Sequence, residues 1–260
     1  MAIEMKLEGT VVVSGGDRGI GLAISRDCAK AGANVAILYH SHPEAQQRAE
    51  EIAQDFGVKT KAYRCDVSDD NAVNQAITAA EKELGPITGL AANAGVSANK
   101  PAVELTTEDF QKVFGVNMLG VFNVAKAVAK RWIETGFKKG SIVVTSSMSA
   151  AIYNPVALNI PYPQLFYNAS KGAATNMVKG LAAEWAQYGI RVNALEPGYC
   201  DTDMTKGSDP KVREFRENTV PLNRFSDVYE QSSSALFLLS DLASYITGTY
   251  IRPDGGCTLY

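Results

Sequence analysis

The sequence predicts an α/β fold, a doubly wound parallel sheet of seven strands with helices on both faces. Three observations predict it. Short apolar runs alternate with longer amphipathic runs from one end of the chain to the other. The first apolar run passes into a glycine-rich turn and then a stretch with helical spacing. No linker, composition shift or internal repeat divides the chain, so residues 1–260 read as a single domain. Apolar strands alternating with helices need cover on both sheet faces, and right-handed crossovers then make the sheet doubly wound.

Thr10–Val13 reads as a short buried strand, because it is β-branched throughout. Ile20–Ala31 has apolar residues at helical spacing and stops at Gly32. Asn34–Tyr39 is the second strand, and Pro43–Phe56 is a charged amphipathic helix ended by Gly57. Lys59–Cys65 is the third strand. Asp69–Leu84 is a helix with an aspartate in the capping position and Gly85-Pro86 after it. Thr88–Ala92 is the fourth strand, and Phe110–Glu134 a long helix. Ser141–Ser146 is a strand and Tyr167–Gln187 a second long helix. Arg191–Leu195 and Tyr250–Arg252 complete the strands, with a helix near Asp227–Leu239 between them.

Composition narrows the function. A net charge of −3 argues against nucleic acid or an anionic membrane as the main partner. The cysteines, Cys28, Cys65, Cys200 and Cys257, form no CxxC pair, and with only His40 and His42 no zinc spacing arises. The start, residues 1–6, has no signal-peptide apolar region, and no uninterrupted apolar stretch is long enough to span a bilayer. The expectation is a cytoplasmic protein with reduced thiols and no metal.

The first strand leads into Ser14-Gly15-Gly16-Asp17-Arg18-Gly19-Ile20-Gly21 and then the helix. A tight turn that also lets backbone approach a pyrophosphate needs glycine, and the helix start presents free N–H groups to phosphate. A glycine-rich loop alone can be an ordinary turn. Between a strand and a helix it marks a Rossmann fold binding a dinucleotide. The second strand ends in Tyr39-His40-Ser41-His42, without the acid that would take a ribose 2′-hydroxyl. Arg18 offers a fork donor for a 2′-phosphate, and His40 and Ser41 offer further hydrogen bonds. The expected cofactor is therefore NADP(H), although Asp17 sets a negative charge beside Arg18.

Further segments follow in order: Cys65-Asp66-Val67, Asn93-Ala94-Gly95, Asn117, Ser147, Tyr167-Asn-Ala-Ser-Lys171, and Pro197-Gly198 leading to Thr202. Together they resemble the short-chain dehydrogenase/reductase family over nearly the whole chain. Segments such as Gly89–Val96, Ser141–Ser149 and Phe166–Gly172 are most similar to its fungal NADP-dependent mannitol 2-dehydrogenases and sorbose reductases. The resemblance implies that Asp66 holds the adenine amino group, Val67 lies against the ring, and Asn93, with Ala94 and Gly95, contacts the adenosine side. It implies that Thr202 binds the nicotinamide carboxamide and that Ser147, Tyr167 and Lys171 are catalytic, with Asn117 completing a proton relay. It also implies a homotetramer built on the two long helices, for which Val113, Val116, Val121 and Val124 offer apolar surface unless they pack internally.

The residue chemistry is consistent with this. Tyr167 and Lys171 stand four apart near a helix start, hence on one face. A neighbouring ammonium is expected to lower the phenol's pKa so that it exchanges a proton with a substrate oxygen. Among Ser146, Ser147 and Ser149, family register picks Ser147. The stretch between Ser147 and Tyr167 carries Tyr153, Asn154, Asn159 and Gln164 and three prolines, either a polyol-binding insert or a solvated loop. Glu196 and Cys200 are unusual beside a nicotinamide pocket and bear either on substrate choice or on nothing. The expected reaction interconverts a ketose and a polyol, D-fructose and D-mannitol first. A ketoreductase for sorbose, xylulose or a non-sugar ketone is the alternative, and a non-catalytic NADP(H) sensor the remote one.

Overall fold

In a computed structural model, which describes residues 5–203, 205–207 and 209–259, seven parallel strands form one sheet in the order β3-β2-β1-β4-β5-β8-β9. The strands are β1 Thr10–Ser14, β2 Asn34–Tyr39, β3 Thr60–Arg64, β4 Ile87–Ala92, β5 Ser141–Thr145, β8 Arg191–Leu195 and β9 Tyr250–Ile251. All seven expected strands are present, with ends shifted by no more than a residue. The beginning of the start segment, residues 1–4, lies outside the described residues.

Side chains alternate across the sheet, and the alternation decides what covers it. Val12, Ala36 and Leu38 face α3 (Asp70–Leu84), α5 (Val121–Thr135) and α6 (Leu165–Trp185). Val11, Val13, Val35 and Ile37 face α1 (Gly19–Lys30), α2 (Ala45–Phe56) and α8 (Val228–Leu239). Each residue in these runs is buried because both faces are covered, which is why the strands read as continuous apolar runs.

Capping fixes the helix starts. Asp69 accepts from the Asn71 and Ala72 amides at the head of α3, and Asp227 closes a capping box with Glu230 on α8. The long helix expected over 110–134 is helical from Thr107 to Thr135, but it is interrupted. An α-helical α4, Thr107–Phe114, passes into a π-helical turn, Gly115–Gly120, before α5. That turn is where Gly120 comes against Val67: a methyl on Gly120 would stand 2.6 Å from a Val67 methyl. The 29-residue run from Thr107 to Thr135 is long and apolar enough to cross a membrane by length and composition, with 56% of its apolar window buried in the protein. No unbroken apolar stretch had marked it in the sequence.

Two elements were not expected. The insert after β5 is not a plain loop. It folds as a 3-10 turn, Met148–Ala150, and a two-stranded antiparallel ribbon of β6 (Pro155–Ala157) and β7 (Ile160–Pro161). Helix α7, Pro210–Thr219, follows β8, with Asp209 accepting from the Lys211 amide and proline in the first turn. The ribbon and α7 pack together over the carboxyl ends of β4, β5 and β8.

Candidate active site

The order reverses between β1 and β4, so the chain leaves these two strands in opposite directions and opens a crevice at their carboxyl ends. A cavity of about 1420 Å³ occupies it, lined by the glycine loop, the ends of the central strands, the ribbon and α7.

The glycine loop forms one wall. Gly15 has φ +63°, and a side chain there would press on the Ala94 backbone at 3.1 Å. A methyl on Gly21 would collide with the Gly15 carbonyl and stand 2.5 Å from the Asn93 amide nitrogen. Asn93 donates to the Gly15 carbonyl, while the Asn93 and Ala94 amides donate to the Ser14 hydroxyl, so the two strand ends are tied together. Helix α1 starts at Gly19 with no side-chain cap and no acid in its first turn. Its free N–H groups and positive dipole end face the cavity, a cradle that fits a dinucleotide pyrophosphate. Thr202 stands opposite, its methyl 3.7 Å from a side chain built on Gly19.

At the outer end lie Arg18, Tyr39, His40 and Ser41, and also His42. The His42 ring, 30% exposed, stands 3.7 Å from the buried Asp17 carboxylate. His40 stands 3.9 Å from Asp66. Asp66 accepts from the Ser68 amide and hydroxyl, and these bonds, helped by His40, hold its carboxyl below the usual carboxylate range. His42 was not among the expected cofactor contacts, which stopped at Ser41; its position three residues past the end of β2 was the available signal.

At the inner end Tyr167 and Lys171 project from the first turns of α6. The Lys171 ammonium lies 5.6 Å from the centre of the Tyr167 ring and donates to the Thr145 carbonyl at 2.7 Å. Burial pushes its pKa down to about 8. Tyr167 moves the other way from the expectation. Burial raises its pKa, and the nearby Ser147 hydroxyl only opposes the rise. The expected lowering by Lys171 is overridden because desolvation of a buried phenolate dominates and the ammonium is engaged by the Thr145 carbonyl.

The three serines separate by their bonds. Ser146 donates to the Lys171 carbonyl and stands 2.7 Å from the Thr175 hydroxyl, which makes it a strut beneath α6. Ser149 donates to Asn154. Ser147 donates to the Ser149 hydroxyl and is the one of the three that stands by the phenol. Asn117, fully buried in the π turn, donates to the Val96 carbonyl and the Ser170 hydroxyl and accepts from the Val96 amide. Both its amide hydrogens are therefore taken by structural bonds. Asn117 and Lys171 flank Gly95 on the same side, each 3.4 Å from a side chain built there.

The insert divides. Asn154 and Gln164 line the cavity, bonded to each other, whereas Tyr153 and Asn159 are exposed outside it. Glu196 does not face the cavity. It is fully buried, accepts from Nε and Nη2 of Arg252 at 2.8 and 2.6 Å, and accepts from the Thr175 hydroxyl. Cys200 does line the cavity, but burial raises its thiol to about 11 and leaves it unreactive. Pro197-Gly198 is held by the Met148 amide and leaves no room for a side chain at Gly198, where a methyl would meet the Asp254 Cα at 2.5 Å.

A family model of the short-chain dehydrogenases, described as enoyl-(acyl carrier protein) reductase, matches residues 15–258, from the glycine loop to the end of β9 and beyond. The chain belongs to the short-chain dehydrogenase/reductase family. Among its relatives are the sorbose reductase of Candida albicans, 39% identical over 97% of this chain and 88% of that one, and the NADP-dependent mannitol dehydrogenase of Hypocrea jecorina, 37% identical over 97% and 93%. The NADPH-dependent 3-quinuclidinone reductase of Rhodotorula rubra superposes with a TM-score of 0.89 at 36% identity, covering 99% of this chain and 93% of that one. The short-chain dehydrogenase/reductase assignment accounts for the meeting of glycine loop, Ser147, Tyr167 and Lys171 in one cavity.

Proposed function

We propose that this chain uses NADP(H) to interconvert a ketose and a polyol, D-fructose and D-mannitol being the first pair, with sorbose, xylulose or a non-sugar ketone as the alternative substrates. One observation carries the reading: Ser147, Tyr167 and Lys171 open onto the same cavity as the glycine loop, beside the polar side chains of Asn99, Ser149, Asn154 and Gln164. The names of the relatives support both halves of it, cofactor and sugar. NADP(H) is favoured over NAD(H) because Arg18, His40 and Ser41 gather at the end of β2, and β2 itself does not run into an acid.

When bound, the nicotinamide supplies or accepts the hydride. The protein's residues do the rest. Gly15, Asp17, Gly19, Ile20 and Gly21 would hold the phosphates, Asp66 and Val67 would take the adenine, and Thr202 would take the nicotinamide end. Ser147 holds the substrate oxygen by a hydrogen bond. Tyr167, kept protonated by burial, donates its proton to that oxygen during reduction and takes it back during oxidation. Lys171 keeps a positive charge near the phenol, and Asn117 holds the Val96 loop against α6.

The protein acts in the cytoplasm as a homotetramer through α4, α5 and α6. Val113, Val121 and Val124 are buried within the protomer and Val116 is partly so, which removes them as contact surface. Phe110, Leu119, Ile133 and Leu165, each more than a third exposed, are the large apolar residues these helices and the π turn offer instead. The assignment is checked by offering NADPH with D-fructose, L-sorbose and D-xylulose and identifying the product. Fastest consumption of D-fructose with mannitol formed supports the first pair. No turnover of any ketose refutes the sugar assignment.

A further inference from the structure

Arg216 on α7 has no part in the mechanism above, yet it lines the catalytic cavity and keeps only 8% of its surface exposed. Its Nε donates to the Pro155 carbonyl of the ribbon at 3.1 Å. Its guanidinium lies over two rings, 5.0 Å from the centre of Tyr162 and 5.2 Å from that of Tyr199. Neither terminal nitrogen has a hydrogen-bond or carboxylate partner among the described residues, and neither is sealed from the cavity. The acids of the neighbourhood are committed elsewhere. Asp201 and Glu217 pair with Arg213, and Asp209 caps α7 through the Lys211 amide. A buried guanidinium without an anion is costly, and stacking on two rings compensates only in part. Its planar fork is shaped for a carboxylate.

We infer that Arg216 binds a carboxylate at the end of the substrate remote from the reacting carbonyl, so that the preferred reactants are a polyhydroxylated keto acid and the corresponding hydroxy acid. The inference rests on the NADP(H) oxidoreductase reading above and takes its alternative branch, a ketone other than a simple ketose, in place of the D-fructose and D-mannitol pair. The carboxylate takes no part in the redox step. The hydride of NADPH goes to the carbonyl carbon, the Tyr167 proton goes to its oxygen, and the acid end is unchanged. Tyr162 and Tyr199 position Arg216, while Asn154 and Gln164 face the hydroxyl groups between the two ends.

The test compares kcat/KM for 5-keto-D-gluconate and D-fructose with NADPH in the wild type, Arg216→Met and Arg216→Lys. The wild type prefers the acid. In Arg216→Met the ratio of acid to ketose falls about 100-fold, through KM, and Arg216→Lys recovers part of it because it keeps the charge and loses the fork. A ratio unchanged in Arg216→Met, with both substrates weakened alike, overturns the inference and leaves Arg216 a structural strut. If neither substrate turns over, the reading of function fails separately. Calorimetry of 5-keto-D-gluconate on the NADPH complex then decides: binding lost in Arg216→Met supports the carboxylate site, and no binding to the wild type overturns it.

Discussion

Lys171 is charged only while its buried ammonium keeps its proton, and burial has brought its pKa to about 8. The charge is present below that value and is lost as pH rises through it, whereas Tyr167, shifted upward, stays protonated across the same range. Ketone reduction is therefore expected to hold level up to about pH 8 and decline above it. A pH profile of kcat for NADPH oxidation measures this, and a rate that climbs through pH 9 contradicts it. At the outer end, Arg18→Ala is expected to cost about tenfold in NADPH affinity and little in NADH affinity, read by cofactor titration. Glu196→Gln strands Arg252 next to a buried neutral partner and is expected to destabilise the fold by about 3 kcal/mol in urea unfolding. The roles at this scale were legible wherever a motif fixed the position, as at Tyr167, Lys171 and the glycines. They were not legible where burial decides. The direction of the Tyr167 shift, the inward pairing of Glu196 and the open fork of Arg216 depend on neighbours far away in sequence.

At the scale of elements, the glycine loop and its helix act as one unit. Gly21→Ala forces a methyl against the Gly15 carbonyl, so it is expected to abolish detectable cofactor binding in a fluorescence titration and to lower Tm. Asp69→Ala removes the α3 cap, one residue beyond Ser68 on the cavity wall and away from Ser147, Tyr167 and Lys171. It is expected to cost about 1 kcal/mol of stability and leave kcat intact, which thermal unfolding and a rate assay separate. The central strands were readable because both faces are covered and their runs are largely apolar, as in β1, β2 and β4. The ribbon escaped because Pro155 and Pro161 sit in it, and proline argues against a strand. Helix α7 escaped because Lys211-Val-Arg-Glu-Phe-Arg-Glu-Asn218 carries few apolar residues to set a period, although Asp209-Pro210 was a legible start signal. The π turn left no sequence mark beyond Gly115 and Gly120, and it moved Asn117 into contact with the Val96 backbone.

For the whole molecule, the doubly wound sheet brings residues 14–21, 93–95, 147, 167–171, 197–202 and 216 to one crevice at the carboxyl ends of its strands. The order of elements predicted that meeting place, since the chain reverses direction only once in the sheet. Assembly belongs to this scale as well. Light scattering is expected to give a mass about four times the 27.9 kDa of the chain, and Leu119→Glu with Phe110→Glu is expected to reduce it. A monomer at micromolar concentration contradicts the tetramer. The most direct test of the central claim follows NADPH absorbance in the wild type and in Tyr167→Phe, with a polyhydroxylated ketone as oxidant and NADPH binding measured on both. The account predicts turnover in the wild type, a loss of about 10³-fold or more in the variant and unchanged NADPH affinity. Equal rates in the two proteins would contradict it.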